Sequence, residues 1–169
     1  IGLDIAKNVF QVHGMDANGK VMLRKQLKRS QVLPFFANLL PCRIGLEACA
    51  GAHYWARELV KLGHDARLIS PQFVKPYVKG NKNDRNDAFA ITEAVRRPEL
   101  KCVEPRTLAQ TDMIQVHRVL DRMTRQRTAL INQLRGFLNE YGIVVARGKE
   151  KLLAAMPDLL EAAENGLTP

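Results

Sequence analysis

From Ile1 to Met15 apolar and polar residues alternate, which predicts a β-strand. Asp16-Ala17-Asn18-Gly19 follows as a turn, with glycine where positive φ is permitted, and Lys20 to Leu27 returns as the second strand of a hairpin. Gln31 to Leu40 has the spacing of a helix and Arg43 to Leu46 that of a short strand. Ala52 to Leu62 reads as a helix stopped by Gly63, and Asp65 to Ile69 as another strand. Ser70 to Asn83 is rich in Pro and Lys and has no period, so it reads as a mobile loop. A helical pattern resumes at Asp84, with Ala88, Ile91, Ala94 and Val95 as its apolar positions. Strands alternating with helices predict an α/β fold, a mixed sheet with helices on its faces.

A second regime runs from Thr107 to Tyr141. Met113, Val116, Leu120, Met123, Leu130, Leu134, Phe137 and Tyr141 fall on alternating three- and four-residue steps, broken only at Arg127. Such a seam predicts a long coiled-coil helix that dimerises; the alternative is an antiparallel partner within the same polypeptide. Gly142 is the expected stop. Leu152 to Ala163 reads as a short amphipathic helix broken near Pro157. The expected organisation is an α/β domain over 1–100, a coiled-coil dimerisation helix over 101–147 and the start of a further region over 148–169.

The 169 residues suffice for one α/β domain plus a helical extension. The start on Ile1, inside strand-like sequence, and the end on Leu167-Thr168-Pro169 read as a piece of a longer protein. A net charge of +9 makes a polyanion the leading partner, although a basic surface is also simply well solvated. Cys42, Cys49 and Cys102 have neither CxxC nor zinc spacing and read as reduced thiols. No apolar run approaches membrane-spanning length and no signal peptide is visible, so the expected location is the cytoplasm. His13, His53, His64 and His117 are dispersed, which gives no support to protease-type nucleophilic catalysis. Phosphate-loop and dinucleotide fingerprints are lacking.

Four acids stand out. Asp4 interrupts an apolar strand, Glu47 ends a strand just before small residues that lead into a helix, and Asp84 and Asp87 lie three apart at a helix start, on one face. Taken singly, Asp84 is an N-cap, Asp87 a first-turn acid and the others solvated charges. Taken together they supply the oxygen ligands that hard cations such as Mg²⁺ or Mn²⁺ prefer, in a site that clamps the attacking and leaving oxygens of a phosphodiester.

The stretches GLDIAK, GLEACAGAHYWARELVKLGHDARLISPQFVK and NKNDRNDAFAI, in this order, resemble the N-terminal catalytic domain of the DEDD-type transposases of bacterial insertion sequences. That family is similar in fold to the RuvC Holliday-junction resolvases. The resemblance is specific from Ile1 to about Arg97 and continues more weakly into the family's helical linker. It implies a ribonuclease-H-like (RuvC-like) mixed sheet and places the acidic tetrad on Asp4, Glu47, Asp84 and Asp87, as catalytic residues and ligands of Mg²⁺ or Mn²⁺. It also implies RNA-guided DNA recombination in the bacterial cytoplasm, with DNA and a guide (bridge) RNA as partners. The family's C-terminal domain carries a serine that attacks DNA. Ser30 and Ser70, the chain's only serines, match no such motif, so strand transfer is not assigned to this chain by itself.

Lys75, Lys79, Lys82 and Arg85 approach the two aspartates in sequence and are candidates for holding phosphates. Arg118, Arg122 and Arg125 form a face away from the coiled-coil seam, to follow a nucleic-acid backbone or only to be solvated. Phe73 and Tyr77 are candidates to stack on an unpaired base or, alternatively, to pack. The leading function is a metal-dependent transposase or recombinase domain acting in DNA cleavage and strand exchange. The alternatives are a RuvC-like structure-specific endonuclease and a non-catalytic nucleic-acid-binding dimerisation module.

Overall fold

The alternation from Ile1 to Met15 hides a reversal. In the computed structural model β1 (Gly2–Asp4) ends at its carboxylate, the chain turns through the polar residues Lys7 and Asn8, and β2 (Val9–Met15) runs back antiparallel with Gly2 opposite His13 and Asp4 opposite Gln11. Period-2 alternation is the same in both directions along a strand, so the pattern carried no mark of the fold-back. β3 (Val21–Lys28) then pairs antiparallel with β2. The tight turn between them has Gly19 at φ +86°, and the Asp16 carboxylate accepts the amides of Asn18 and Lys20 at 2.9 and 2.8 Å. The expected hairpin is therefore a three-stranded meander.

The structure describes residues 1–78, 84–162, 164 and 166, and for Asp84 and Arg85 the backbone alone. β4 (Arg43–Glu47) pairs parallel to β1, and β5 (Asp65–Ile69) parallel to β4, which gives one mixed sheet of order β3-β2-β1-β4-β5. A 3-10 turn at Arg29–Gln31 leads into α1 (Val32–Ala37). This helix is shorter than the Gln31 to Leu40 pattern predicts, because Asn38 turns its side-chain amide back to the Pro34 carbonyl at 2.7 Å and ends the ladder. α2 (Ala52–Lys61) closes at Gly63, φ +89°, as expected. The described part of the expected loop is not irregular: α3 (Pro71–Val74) and a 3-10 turn at Lys75–Tyr77 fill it, with Pro71 and Pro76 placed where a helical turn needs no amide. Residues 79–83 lie outside the described residues. α4 (Asp84–Val95) follows.

Each sheet face carries its own core. Leu3, Phe10, Val12, Ile44, Leu46 and Leu68 point to the α1 and α2 side and meet Val32, Phe36, Trp55 and Leu59. Ile69 points to the other side, where α4 contributes Ala90, Ile91, Ala94 and Val95. Fully burying side chains of this size stabilises by roughly 1.5–3 kcal/mol each, before the entropy cost of ordering them.

His13 lies under α4, 4% exposed. Its Nδ1 is 3.2 Å from the Thr92 hydroxyl, which is 2.8 Å from the Ala88 carbonyl and 3.0 Å from that of His13, and its Nε2 has no hydrogen-bond partner among the described residues. Burial first, and then the nearby Arg24 guanidinium, push the imidazole pKa down. The unfolded chain therefore takes up a proton at roughly pH 6.5 that the folded chain refuses, so stability is full above that pH and falls as pH drops below it. Thermal midpoints between pH 5 and 8 should show that slope, and it should flatten in His13→Gln; an unchanged slope would assign the effect to another group, such as His53, whose pKa is also lowered, chiefly by burial.

The chain divides into two units, Ile1–Thr107 and Leu108–Pro169. In the second, α5 (Leu108–Glu140) ends before Gly142 at φ +73°, and α6 (Lys149–Glu161) follows. Arg135 clamps the connection by donating to the carbonyls of Ala146 and Gly148 at 2.8 and 2.7 Å. The expected break at Pro157 does not occur. The helix continues through it to the bond from the Ala162 amide to the Asp158 carbonyl, so the proline, which removes its own amide from the ladder and crowds the carbonyl four residues back, weakens the helix without ending it. Leu138 and Leu152 are buried, whereas the seam residues Met113, Val116, Leu120, Met123, Leu130, Phe137 and Tyr141 are all about half exposed or more. Among the described residues no helix is long and apolar enough to cross a membrane.

Candidate acidic centre

Gly2 and Gly45 lie side by side on the neighbouring strands β1 and β4. Both face α4, and they determine how near that helix comes. A Cβ on Gly2 would strike the Ala88 carbonyl and the Thr92 amide, and one on Gly45 would stand 2.7 Å from Cβ of Val95. Alternation along the strands puts Asp4 on the same face as Gly2, and Glu47 on the same face as Gly45. Because Leu3 pairs with Leu46, the next residues, Asp4 and Glu47, end their strands abreast.

The direction of α4 follows from its contacts with the β2 side of the sheet. Arg96, near its C-terminus, donates to Met15 Sδ at 3.4 Å and to the Ala17 carbonyl at 3.0 Å, while Thr92 meets His13. The helix therefore runs antiparallel to β1, and its first turn, with Asp84 and Asp87, lies toward the strand end that carries Asp4 and Glu47. Asp4, Glu47 and Asp87 are all partly buried. A further sign of convergence is Cys49, whose thiol pKa is raised by burial and then by the negative charges of Glu47 and Asp4. The N-terminal end of α4 also contributes positive potential where these acids collect.

The donor set is entirely carboxylate, which suits a hard divalent cation. Among the described residues no three His, Cys, Asp or Glu side chains are gathered closely enough to hold an ion, and the Asp84 side chain is outside that description. The structure thus brings Asp4, Glu47 and the first turn of α4 to one edge without a closed cage.

Of the candidate cations, Lys75 is exposed in the 3-10 turn six residues after Ile69, the partner of Glu47. Lys79, Lys82 and the Arg85 side chain lie outside the described residues. Arg118, Arg122 and Arg125 are exposed on α5, where Arg125 pairs with Asp121 at 2.9 Å. Tyr77 packs into the α4 core with the Arg97 guanidinium 5.7 Å from its ring centre, so it serves packing, whereas Phe73 is 40% exposed. His64 is a satisfied core residue: Nδ1 accepts the Cys42 amide at 3.2 Å and Nε2 lies 3.0 Å from the Phe36 carbonyl. His53 likewise accepts the Arg106 amide at 3.2 Å. The sequence pattern did not single out Arg29, Tyr54 and Trp55, which gather at the same sheet end; their only sequence signal is a basic residue and an aromatic pair at element boundaries.

A family model described as "Transposase", for IS110-type DEDD transposases, matches residues 1–143. The chain is 50% identical over its whole length to a probable family 20 transposase of Pseudomonas aeruginosa, of which it covers 50%. It is 46% identical over its whole length to the transposase for insertion sequence element IS1111A of Coxiella burnetii, covering 46% of it. Over 94% of its length it is 47% identical to the transposase for IS1328 of Yersinia enterocolitica, covering 48%. It therefore spans about half the length of the curated relatives it matches. No solved structure matches it significantly.

Proposed function

Since this chain belongs to the IS110-type transposase family, we propose that the edge carrying Asp4, Glu47, Asp84 and Asp87 is the catalytic centre of a ribonuclease-H-like (RuvC-like) domain that acts in DNA cleavage and strand exchange during insertion-sequence transposition. The observation that carries this reading is the meeting of two strand-end acids and an acid-bearing helix start at one end of a β3-β2-β1-β4-β5 sheet. The mixed sheet, three antiparallel strands followed by two parallel ones, supports the ribonuclease-H-like assignment.

In this reading Asp4 is the central ligand of Mg²⁺ or Mn²⁺, with Glu47, Asp84 and Asp87 around it. A divalent cation held there supplies charge stabilisation to the phosphoryl oxygens of the scissile linkage. The residues themselves orient a phosphodiester at the sheet end. Lys75, Lys79, Lys82 and Arg85 neutralise the flanking phosphates, and the net charge of +9 draws the polyanion in. DNA is the substrate, a guide RNA a further partner, and the exposed seam of α5 the surface through which two copies associate in the bacterial cytoplasm. The remainder of a full-length protein would supply the serine nucleophile.

Titration calorimetry with Mn²⁺ or Mg²⁺, in the presence and absence of a branched DNA, tests the metal assignment. Binding that tightens with DNA and vanishes in Asp4→Asn is expected. Equal binding in both proteins would remove Asp4 from the centre.

A further inference from the structure

On the face opposite α4, at the same sheet end, Asn8, Lys28, Arg29, Ser30, Tyr54 and Trp55 line an open hollow of about 710 Å³. We infer that this hollow is a binding site for one unpaired nucleotide of single-stranded DNA, with its base stacked on Tyr54 and its phosphate held by Arg29; the inference rests on the reading of the acidic edge as a DNA site.

The chemistry of the walls carries it. The Arg29 guanidinium lies over the Trp55 ring at 5.1 Å and 5.9 Å from the centre of Phe10. Its backbone amide donates to the Asn8 carbonyl at 2.9 Å, and its Nη1 to the Lys7 carbonyl at 3.3 Å. A guanidinium stacked on an indole and tied at one nitrogen is pre-organised, with further donors for a phosphate. Tyr54 stands edge-on to Trp55, ring centres 5.2 Å apart and planes at 76°, and is 45% exposed, so one phenol ring is fixed by packing and open to a ligand. The volume falls in the ~300–1,000 Å³ range of small-molecule sites. Lys28 and Arg29 give it positive charge, and no acid stands among its described lining residues. Exposed aromatics beside cations are what single strands bind, because every base offers a face and every linkage a charge. A duplex keeps its bases stacked inside and gains nothing from Tyr54.

Position relates the hollow to the acids. Asp4 pairs with Gln11, and Val9, on the hollow's wall, lies two residues and ~7 Å further along β2. A strand crossing the sheet end at Asp4 and Glu47 therefore passes close to the hollow.

Trp55 is the only tryptophan, which makes its emission a local reporter. The chain is titrated with unlabelled oligo(dT) while that emission is followed, and affinities are measured for labelled single-stranded DNA, duplex DNA and RNA of one sequence. A saturable change in emission is expected. Tyr54→Ala and Arg29→Ala should weaken single-strand binding about fivefold or more, with Tyr54→Phe at wild-type affinity and duplex binding changed less than about twofold. Wild-type single-strand affinity in Tyr54→Ala, an equal loss for duplex and single strand, or tighter binding of RNA than of DNA would overturn the assignment. Circular dichroism of each variant separates lost binding from lost fold. The oligo(dT) titrations are run in EDTA, where any metal-linked contribution of the acidic centre is absent, so failure of the hollow and failure of the acidic centre are read independently.

Discussion

Asp4→Asn in the full-length protein should reduce recombination by at least about 10³-fold, the equivalent of roughly 4 kcal/mol of lost transition-state stabilisation, while the thermal midpoint and helix content stay at wild-type values. Two features of the site separate these effects. Asp4 is the last residue of β1, on the face that α4 only partly covers, so the amide retains its volume and its place in the sheet. The substitution removes a charge at the edge where Glu47 ends the next strand and α4 begins. A recombination assay scored by product joints, run beside a thermal melt, checks both. Wild-type activity in the variant would end the catalytic assignment, and a melt lowered together with activity would move Asp4 from chemistry to structure.

Gly2→Ala should have the largest effect on stability, about 2–4 kcal/mol, with Gly45→Ala close behind. The new methyl group on Gly2 meets backbone, the Ala88 carbonyl and the Thr92 amide, and backbone yields only if α4 lifts as a body. Lifting it loosens Ile91, Ala94 and Val95 on the sheet and opens the His13–Thr92 contact. At Gly45 the collision is with Val95 Cβ at 2.7 Å and Ile91 Cγ2 at 3.1 Å, which side-chain adjustment relieves in part. Gly136→Ala is the comparison: nothing lies within 4 Å of a Cβ there, and the position is inside α5, so the variant should gain up to ~1 kcal/mol in helix stability. Urea or thermal unfolding of the three variants gives the ranking. The same displacement of α4 carries Asp84 and Asp87 away from Asp4 and Glu47, so Gly2→Ala should lose activity as well as stability, whereas Asp4→Asn loses activity alone.

Local pattern was sufficient for much of the fold. β4, α2 and β5 lie within a residue of where periodicity and Gly63 placed them, because a short amphipathic element between turn residues is specified by its own neighbours. The extent of α5 and its stop before Gly142 were legible for the same reason. The reversal at Lys7 and Asn8 was not, since alternation does not record strand direction, and neither was the uninterrupted α6, since a single proline only weakens a helix whose other bonds remain. The candidate site divides along the same line. The identity of the four acids is in the sequence, through local contexts that resemble a known family. That two of them end neighbouring strands while the other two lie in a helix turn directed toward the same sheet end is a tertiary result. It depends on β1 and β4 being parallel neighbours in register, and on two glycines abreast that admit α4 with its N-terminus toward the strand ends. The hollow of Arg29, Tyr54 and Trp55 is wholly tertiary, because residues separated by the whole of α1 and β4 come together only when both layers close on the sheet. Sequence determined which groups are available; packing against the glycine shelf decided which of them face one another.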